Sequence, residues 1–412
     1  MFDLNEFTLI NEEIGIIGNK LISTKKIKLA SNFGVNKLNT IVKIALLTVL
    51  AGYNEENKIV VFSNENLNNL IDIDIDNFAN LNLNFKDKAP KIFDVNITYQ
   101  KIKKQFDSMV LESSSDMFLN NNHVLNSLLT SYDNILLLSG GIDSLAGLLY
   151  LLSKKEKVLP FWIDFGQKNR VSENKVINLV KNKLKIPVLI FKVDLKDYIN
   201  IGWTRWKNGI IPGRNFLFVA LASLFIIKSP LKNFKIWLCA SRGEINYKHN
   251  DKSLFFYKTI SKLLSLYAKK NIKVWTPFYK FNKAEIIYYW DKKWYSKYKI
   301  SFRDATTCYL GNNCGLCSAC CYRYINMLVA GIKDVYYKNN PLKDKSRIIR
   351  DYYIPNFKKW GKIRKIDFLI ALLKNKKILP KEIKIFLEKQ FKIYYIDIKR
   401  RLRSIKRVKI GK

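Results

Sequence analysis

The chain has 412 residues, 48% of them hydrophobic and 13% aromatic, enough for two or three domains that each bury a core. Its formal charge of +38 suits polyanionic partners such as nucleic acid or acidic proteins, or else reflects the abundance of Lys, Asn, Ile and Tyr along the whole chain. Having only two histidines, His123 and His249, excludes chemistry that needs several imidazoles, multi-His catalytic metal sites included. His249 lies in the polar stretch EINYKHNDK, as a solvated loop residue or one facing a ligand.

The segment 1–131 alternates strand-like runs, Phe7 to Ile10 and Lys58 to Phe62, with an amphipathic helical pattern from Val35 to Ala51. Polar stretches interrupt it and no catalytic constellation emerges, so a small α+β accessory domain for partner binding or regulation is expected. No signal peptide precedes Asp3 and Glu6. The longest mostly apolar stretch, Phe216 to Ile227, is too short to cross a bilayer. A cytoplasmic protein is expected.

From 132 to 332 strand and helix alternate as in a doubly wound α/β domain with a parallel sheet. Ile135 to Leu138 reads as a buried strand, and Leu145, Leu148, Leu149 and Leu152 recur at helical spacing. Between them lies SGGIDS, a strand-to-helix turn whose unpaired amides and helix dipole favour an anion, phosphate above all. Gly140 and Gly141 let a ligand approach the main chain, Ser139 and Ser144 add hydroxyl donors, and Asp143 either holds a metal ion or caps the helix. VLPFWIDF, VLIFKVDL, KIWLCAS and VWTPF supply further strands, with ligands expected outside their carboxyl ends. Arg214 and Asn215 open the Phe216 helix, either facing a ligand or capping. Lys283 begins a helix with Asn282 and Glu285 spaced as a capping box; it reaches a phosphate or lies on the surface.

Five of the six cysteines fall between Cys308 and Cys321, which points to a metal site in a reducing compartment. Cys308, Cys314, Cys317 and Cys320 have the spacing C-x5-C-x2-C-x2-C, suited to a closed, structural zinc site, with an iron–sulfur cluster as the alternative. Cys321 could replace Cys320, and Cys239 reads as a core residue. The segment 333–412 is basic and largely helical, with an apolar face at Ile366, Leu369, Ile370 and Leu373 and a further helix starting near Pro380. Its end, KRRLRSIKRVKIGK, is either solvated or an electrostatic contact with nucleic acid or an acidic partner.

Together these motifs resemble a known family. SGGIDS matches the pyrophosphate-binding loop of the adenine-nucleotide α-hydrolases (PP-loop ATPases), and the four-cysteine cluster narrows the resemblance to the 7-cyano-7-deazaguanine synthases, the QueC family. DFGQ at 164–167, PGRN at 212–215, TPF at 276–278 and KAEI at 283–286 fall in the family's order. The resemblance covers the middle half of the chain. The flanking segments look more like those of the longer QueC-like (QatC-like) proteins of anti-phage operons, whose partner proteins would use the N-terminal segment or the basic tail.

The resemblance implies an enzyme that uses ATP and Mg2+ to adenylate the carboxylate of a 7-deazaguanine, lets ammonia form the amide, and dehydrates it to the nitrile with a second ATP. Ser139, Gly140, Gly141, Asp143 and Ser144 would hold pyrophosphate and Mg2+. Asp164, Gln167, Arg214 and Asn215 would line the nucleotide site. Asp143, Ser144 and Lys283 would carry the catalytic roles, and Zn2+ would sit on Cys308, Cys314, Cys317 and Cys320. The sequence departs from the family at Asn169, since the family's basic residue, here Lys168, is usually followed by His. It departs again at ASRGEINYKHNDKS, where of the base-recognition run only an acid and a base survive, Asp251 and Lys252; the cysteine loop is also shorter. Capture of the activated acyl group by an amine of a protein or nucleic acid, a tRNA-modifying PP-loop enzyme, and a nucleotide-binding subunit without catalysis are the competing expectations.

Overall fold

The structure, a computed structural model, describes residues 26–30, 70–74, 111–112, 118–119, 128, 130–167, 169–192, 214–245, 252–308, 313–333, 337–342 and 349–408. The runs expected at 7–10, 35–51 and 58–62, both histidines, Lys168, Pro212, Gly213 and Asp251 lie outside the described residues. β1 (Lys26–Ala30) and β2 (Leu70–Asp74) form a two-stranded antiparallel sheet. The main sheet contains β3 (Leu111–Glu112), β4 (Phe118–Leu119), β5 (Asn134–Leu137), β6 (Val158–Asp164), β7 (Val188–Lys192), β8 (Asn233–Trp237) and β9 (Asn271–Trp275) in the order β4-β3-β7-β6-β5-β8-β9.

The five strands from β7 to β9 are parallel, and β3 and β4 extend the β7 edge antiparallel. The strands expected between Ile135 and Trp275 are all present. Their near-continuous apolar character follows from burial on both faces. Leu136, Trp162, Ile190 and Trp237 join one core with α1 (Ile142–Ser153) and α2 (Arg170–Leu184). On the other face Phe161 packs with its ring centroid 5.1 Å from that of Phe225 in α3 (Arg214–Lys228). Fully burying such side chains contributes about 1.5–3 kcal/mol each. The chain leaves β5 toward β6 and later returns on its other side as β8, so the carboxyl end of β5 is the switch point of the sheet, where a ligand crevice forms.

The helix α4 (Leu254–Ala268), with Ser253 capping its first turn, packs on β9. The helix α5 (Lys283–Tyr289) continues through a π turn, Trp290–Trp294, whose indoles join the α1 core. Thr276 latches two loops together: its hydroxyl donates to the Ala240 carbonyl (2.7 Å) and accepts from the Ala240 amide (3.0 Å).

Helices α6 (Ser318–Ala330), α7 (Lys362–Lys374) and α8 (Lys381–Ile405) share a second core built from Cys321, Ile325 and Val329 with Phe368, Leu369, Leu372, Leu387 and Ile398. The basic C-terminal segment therefore packs against the α/β domain, and Pro380 sits at the N-cap of α8 as its fixed φ allows. Within KRRLRSIKRVKIGK, Arg401 and Ile405 are buried. Packing is thus a third role for this stretch beside the two expected from sequence.

Gly147 in α1 marks a close approach: a β-carbon there would lie 2.2 Å from Cys239 Sγ. Replacing a helical Gly by Ala ordinarily stabilises a protein by about 1 kcal/mol. Here Gly147→Ala is expected instead to destabilise by about 1–3 kcal/mol through overpacking. Chemical denaturation of Gly147→Ala and of Gly147→Ala/Cys239→Ala checks this, with the double variant expected to recover most of the loss.

Candidate active site at the switch point of the sheet

The turn after β5 has the geometry of an anion cradle. Gly140 has φ +66°, with Val176 and Thr306 so close that a β-carbon would lie 3.1 Å from Val176 Cβ. Gly141 is the N-cap of α1, and the first intrahelical bond runs from the Leu145 amide to the Gly141 carbonyl at 3.0 Å. The amides of 142–144 are thus left without helical partners, where the dipole favours negative charge. Ser144 braces the loop: its hydroxyl donates to Gly141 O (3.1 Å), accepts from the Ser139 amide (3.2 Å) and lies 3.2 Å from Ser139 Oγ.

Asp143 does not cap the helix. Its Oδ2 lies 2.8 Å from Lys283 Nζ, while its Oδ1 is buried with no hydrogen-bond partner among the described residues. Burial pulls the Lys283 ammonium toward neutrality, but the carboxylates of Asp143 and Glu244 outweigh it and hold Lys283 above its ordinary range, hence charged. Of the alternatives left by the sequence, Lys283 is a buried cleft residue, with its Nζ 4.9 Å from the Tyr322 ring centroid. A carboxylate with one oxygen neutralised by ammonium and the other open and dry suits Mg2+, which takes one or two protein carboxylates and completes its shell with phosphate and water.

Around this pair lies a cleft of about 240 Å³, lined among others by Ser139, Gly141, Asp143, Ser144, Gln167, Arg214, Asn215 and Lys283. Asp164 is not in that lining. It ends β6, and its Oδ1 accepts from the Gly166 amide at 3.1 Å, shaping the turn that carries Gln167. Gln167 is locked, accepting from the Phe165 amide (2.9 Å) and donating to Glu173 (2.6 Å).

Sequence reasoning passed over several cleft residues. Glu173 is buried in α2 and accepts from Trp162 Nε1 (2.9 Å) and Asn169 Nδ2 (2.9 Å) as well as Gln167. Burial pushes its carboxyl up to about 7, with these bonds and Arg214 pulling it back. Glu244, in the short turn of helix Arg242–Ile245, pairs with Lys252 at 2.9 Å and accepts from the Ser241 amide and hydroxyl. Burial opposes its ionisation, but Lys252 and Lys283 hold its carboxyl well below the usual range. Glu244 and Lys252 both lie in the stretch where the sequence leaves the family's pattern. Buried, paired charge is the signal that no spacing rule contains.

The cysteine site abuts the phosphate loop. The thiols of Cys308, Cys314, Cys317 and Cys320 all lie within 4.8 Å of one another, and Cys314 and Cys320 Sγ are 4.0 Å apart. Tetrahedral zinc at about 2.3 Å from sulfur requires sulfurs about 3.8 Å apart, so the donor set fits zinc. Amides of Cys314, Leu316 and Cys320 donate to Cys308, Cys314 and Cys317 sulfurs at 3.4 Å each, as suits thiolate ligands. Gly315 has φ +74° and abuts the Asn339 carbonyl so closely that no β-carbon fits. Cys321 points away, buried in the helical core, and Cys239 is buried against α1.

From Cys308 the chain runs back two residues to Thr306, whose amide donates to the Gly140 carbonyl at 2.9 Å. Arg323, 1% exposed, fixes this connection by donating to the Ala305 carbonyl, to Thr307 Oγ1 (3.2 Å) and to the Phe302 carbonyl (3.4 Å). It lies in α6 three residues after Cys320, so the cysteine loop and the SGGIDS turn share one support.

Such a parallel sheet, with a Gly-Gly phosphate turn at its switch point and a four-cysteine loop beside it, defines a PP-loop α/β domain. Comparison with known proteins narrows the class: residues 133–328 match the family Queuosine biosynthesis protein QueC. The chain is 27% identical over 231 residues to the 7-cyano-7-deazaguanine synthase of Picrophilus torridus, covering 50% of this chain and 92% of that protein. It is 28% identical over 221 residues to the enzyme of the same name from Acetivibrio thermocellus, covering 48% of this chain and 95% of that one. Helices α7 and α8 lie beyond the matched segment.

Two outcomes follow. Elemental analysis is expected to find one zinc ion per chain in wild type and in Cys321→Ser but none in Cys317→Ser; retention by Cys317→Ser would remove it from the ligand set. For Glu173 the folded carboxyl near 7 lies above its ordinary 4.5. Between those values the native state holds a proton that the unfolded state has lost, so stability falls as pH rises through that window and levels off above it. One proton held in this way corresponds to a slope of about 1.4 kcal/mol for each step of one in pH. Glu173→Gln is expected to flatten that slope in thermal melts from about pH 4.5 to 8.

Proposed function

We propose that the protein is an ATP-dependent, AMP-forming ligase that adenylates the carboxylate of 7-carboxy-7-deazaguanine and passes the acyl group to ammonia. The observation that carries this reading is the Asp143–Lys283 pair at the mouth of the phosphate loop, with the second Asp143 oxygen buried and open. The activity for which the relatives are named supports the choice of substrate. In the first step a substrate carboxylate oxygen attacks the α-phosphorus of ATP, and the bond to the bridging oxygen breaks as pyrophosphate leaves. Ammonia then adds to the acyl carbon, loses a proton, and displaces AMP to give the amide. For the nitrile, the amide oxygen takes a second adenylyl group and departs with AMP as nitrogen gives up two protons.

None of these steps needs a protein nucleophile. The amides of 142–144, Ser139 and Lys283 would bind and orient the pyrophosphate portion, and Asp143 Oδ1 would hold Mg2+, which neutralises phosphate charge when bound. Arg214 and Asn215 would contact the nucleotide from the start of α3, while Gln167 and Glu173 form the wall after β6. Thiolation of RNA is the weaker reading: Cys239 is the cysteine at the cleft, and burial holds its thiol well above the ordinary range, opposite to a nucleophile's need.

The test is AMP and pyrophosphate release by zinc-replete protein given MgATP, 7-carboxy-7-deazaguanine and ammonia. Substrate-dependent AMP is expected, reduced about a hundredfold or more in Asp143→Ala and Lys283→Ala, with a product mass that separates amide or nitrile from a conjugate with a protein or nucleic-acid amine. No AMP with this substrate would overturn the synthase reading.

A further inference from the structure

Outside the family-matched segment, one residue reaches the catalytic region from the last helix. Arg401 of α8 grips Asp367 of α7 with a two-pronged contact, Nε to Oδ1 at 2.8 Å and Nη2 to Oδ2 at 3.1 Å, and its Nη1 donates to Glu285 Oε1. The side chains of Arg401, Glu285 and Asp367 are 7%, 12% and 8% exposed. The other oxygen of Glu285 accepts the Asn282 amide at 2.9 Å, closing the N-terminus of α5. Lys283 is the first residue inside that cap.

We infer that Arg401 is a positioning residue for Lys283: the C-terminal helix, through Glu285, fixes the first turn of α5 and so aims the lysine at Asp143 and the phosphate loop. Two carboxylates, Glu285 and Asp367, share one guanidinium. Without it both stay buried uncompensated, repel one another, and can regain hydration only by turning toward water. Glu285 cannot do so and keep the Asn282 amide, so the cap opens and Lys283 loses its fixed direction. Lysine cannot substitute fully, because an ammonium lacks the planar fork that serves two carboxylates at once. The C-terminal segment thereby becomes a required part of the site.

The consequence for catalysis rests on the function proposed above; the consequence for Lys283 does not. The test compares full-length wild type, Arg401→Lys, Arg401→Met and the neutral triple variant Glu285→Gln/Asp367→Asn/Arg401→Met. The readout is the rate at which an amine-reactive reagent labels Lys283, scored by peptide mass spectrometry against exposed Lys293, with circular dichroism confirming the fold. Labelling is expected to rise about fivefold or more in Arg401→Met, less in Arg401→Lys, and to return toward wild type in the triple variant, because local opening sets the rate. Wild-type labelling of Lys283 in a folded Arg401→Met would overturn the inference; where that variant does not fold, the same result in Arg401→Lys does so. Calorimetry with a non-hydrolysable MgATP analogue forms a second arm, expected to show weaker binding in Arg401→Lys. Absence of nucleotide binding by wild type would count against the proposed function, while the labelling comparison would still decide the inference.

Discussion

The Asp143–Lys283 ion pair is the constraint around which the domain is arranged. Taking a carboxylate and an ammonium out of water costs several kcal/mol per ion, and a buried pair repays this only with good geometry and further hydrogen bonds. The geometry is good, at 2.8 Å, yet one Asp143 oxygen remains without a bond among the described residues. Stability alone would favour an apolar replacement. The pair makes sense as desolvated charge held ready in a cleft, where a phosphate and its cation would find their partners already oriented.

Holding that arrangement requires support from parts of the chain far apart in sequence. On the Asp143 side, Gly140 accepts the Thr306 amide, and Arg323 holds the connection from Thr306 to the metal loop. On the Lys283 side, the cap of α5 and the charges of α7 and α8 perform the same service. With Cys308 two residues from Thr306, a metal held by the four cysteines would also pin the strand of chain that runs beside the SGGIDS turn.

Much of this was legible in the sequence, and the reason is physical. Strands buried on both faces read as apolar runs, a phosphate turn needs Gly at an αL position, and four thiolates must be spaced to close on one ion. These are local requirements, so local sequence records them: the five parallel strands, the SGGIDS turn and the cysteine set were all visible. What was not legible is pairing across the fold. Nothing near Lys283 says that it meets Asp143, and Arg401 resembles the exposed Arg400 and Arg403 beside it. Glu173 reads as an ordinary helix acid and Glu244 as part of a polar stretch; burial and the groups around them set both apart. At the end of β6, Asp164 holds the following turn through Oδ1, a contact that its place in the sequence does not announce.

The two halves of the cleft differ in how firmly they specify a ligand. One side is built from backbone amides, hydroxyls and a fixed ion pair, groups that suit a phosphate whatever it is attached to. On the other side the family's usual run is replaced by Glu244 and Lys252, locked to each other and, through Glu244, to Ser241. A carboxylate already accepting from an ammonium, an amide and a hydroxyl offers a ligand's N–H little free capacity, and exchange of one of these bonds would discriminate against ligands that cannot return it. Under the proposed function, specificity at this wall would then come from a swap among groups that are already paired.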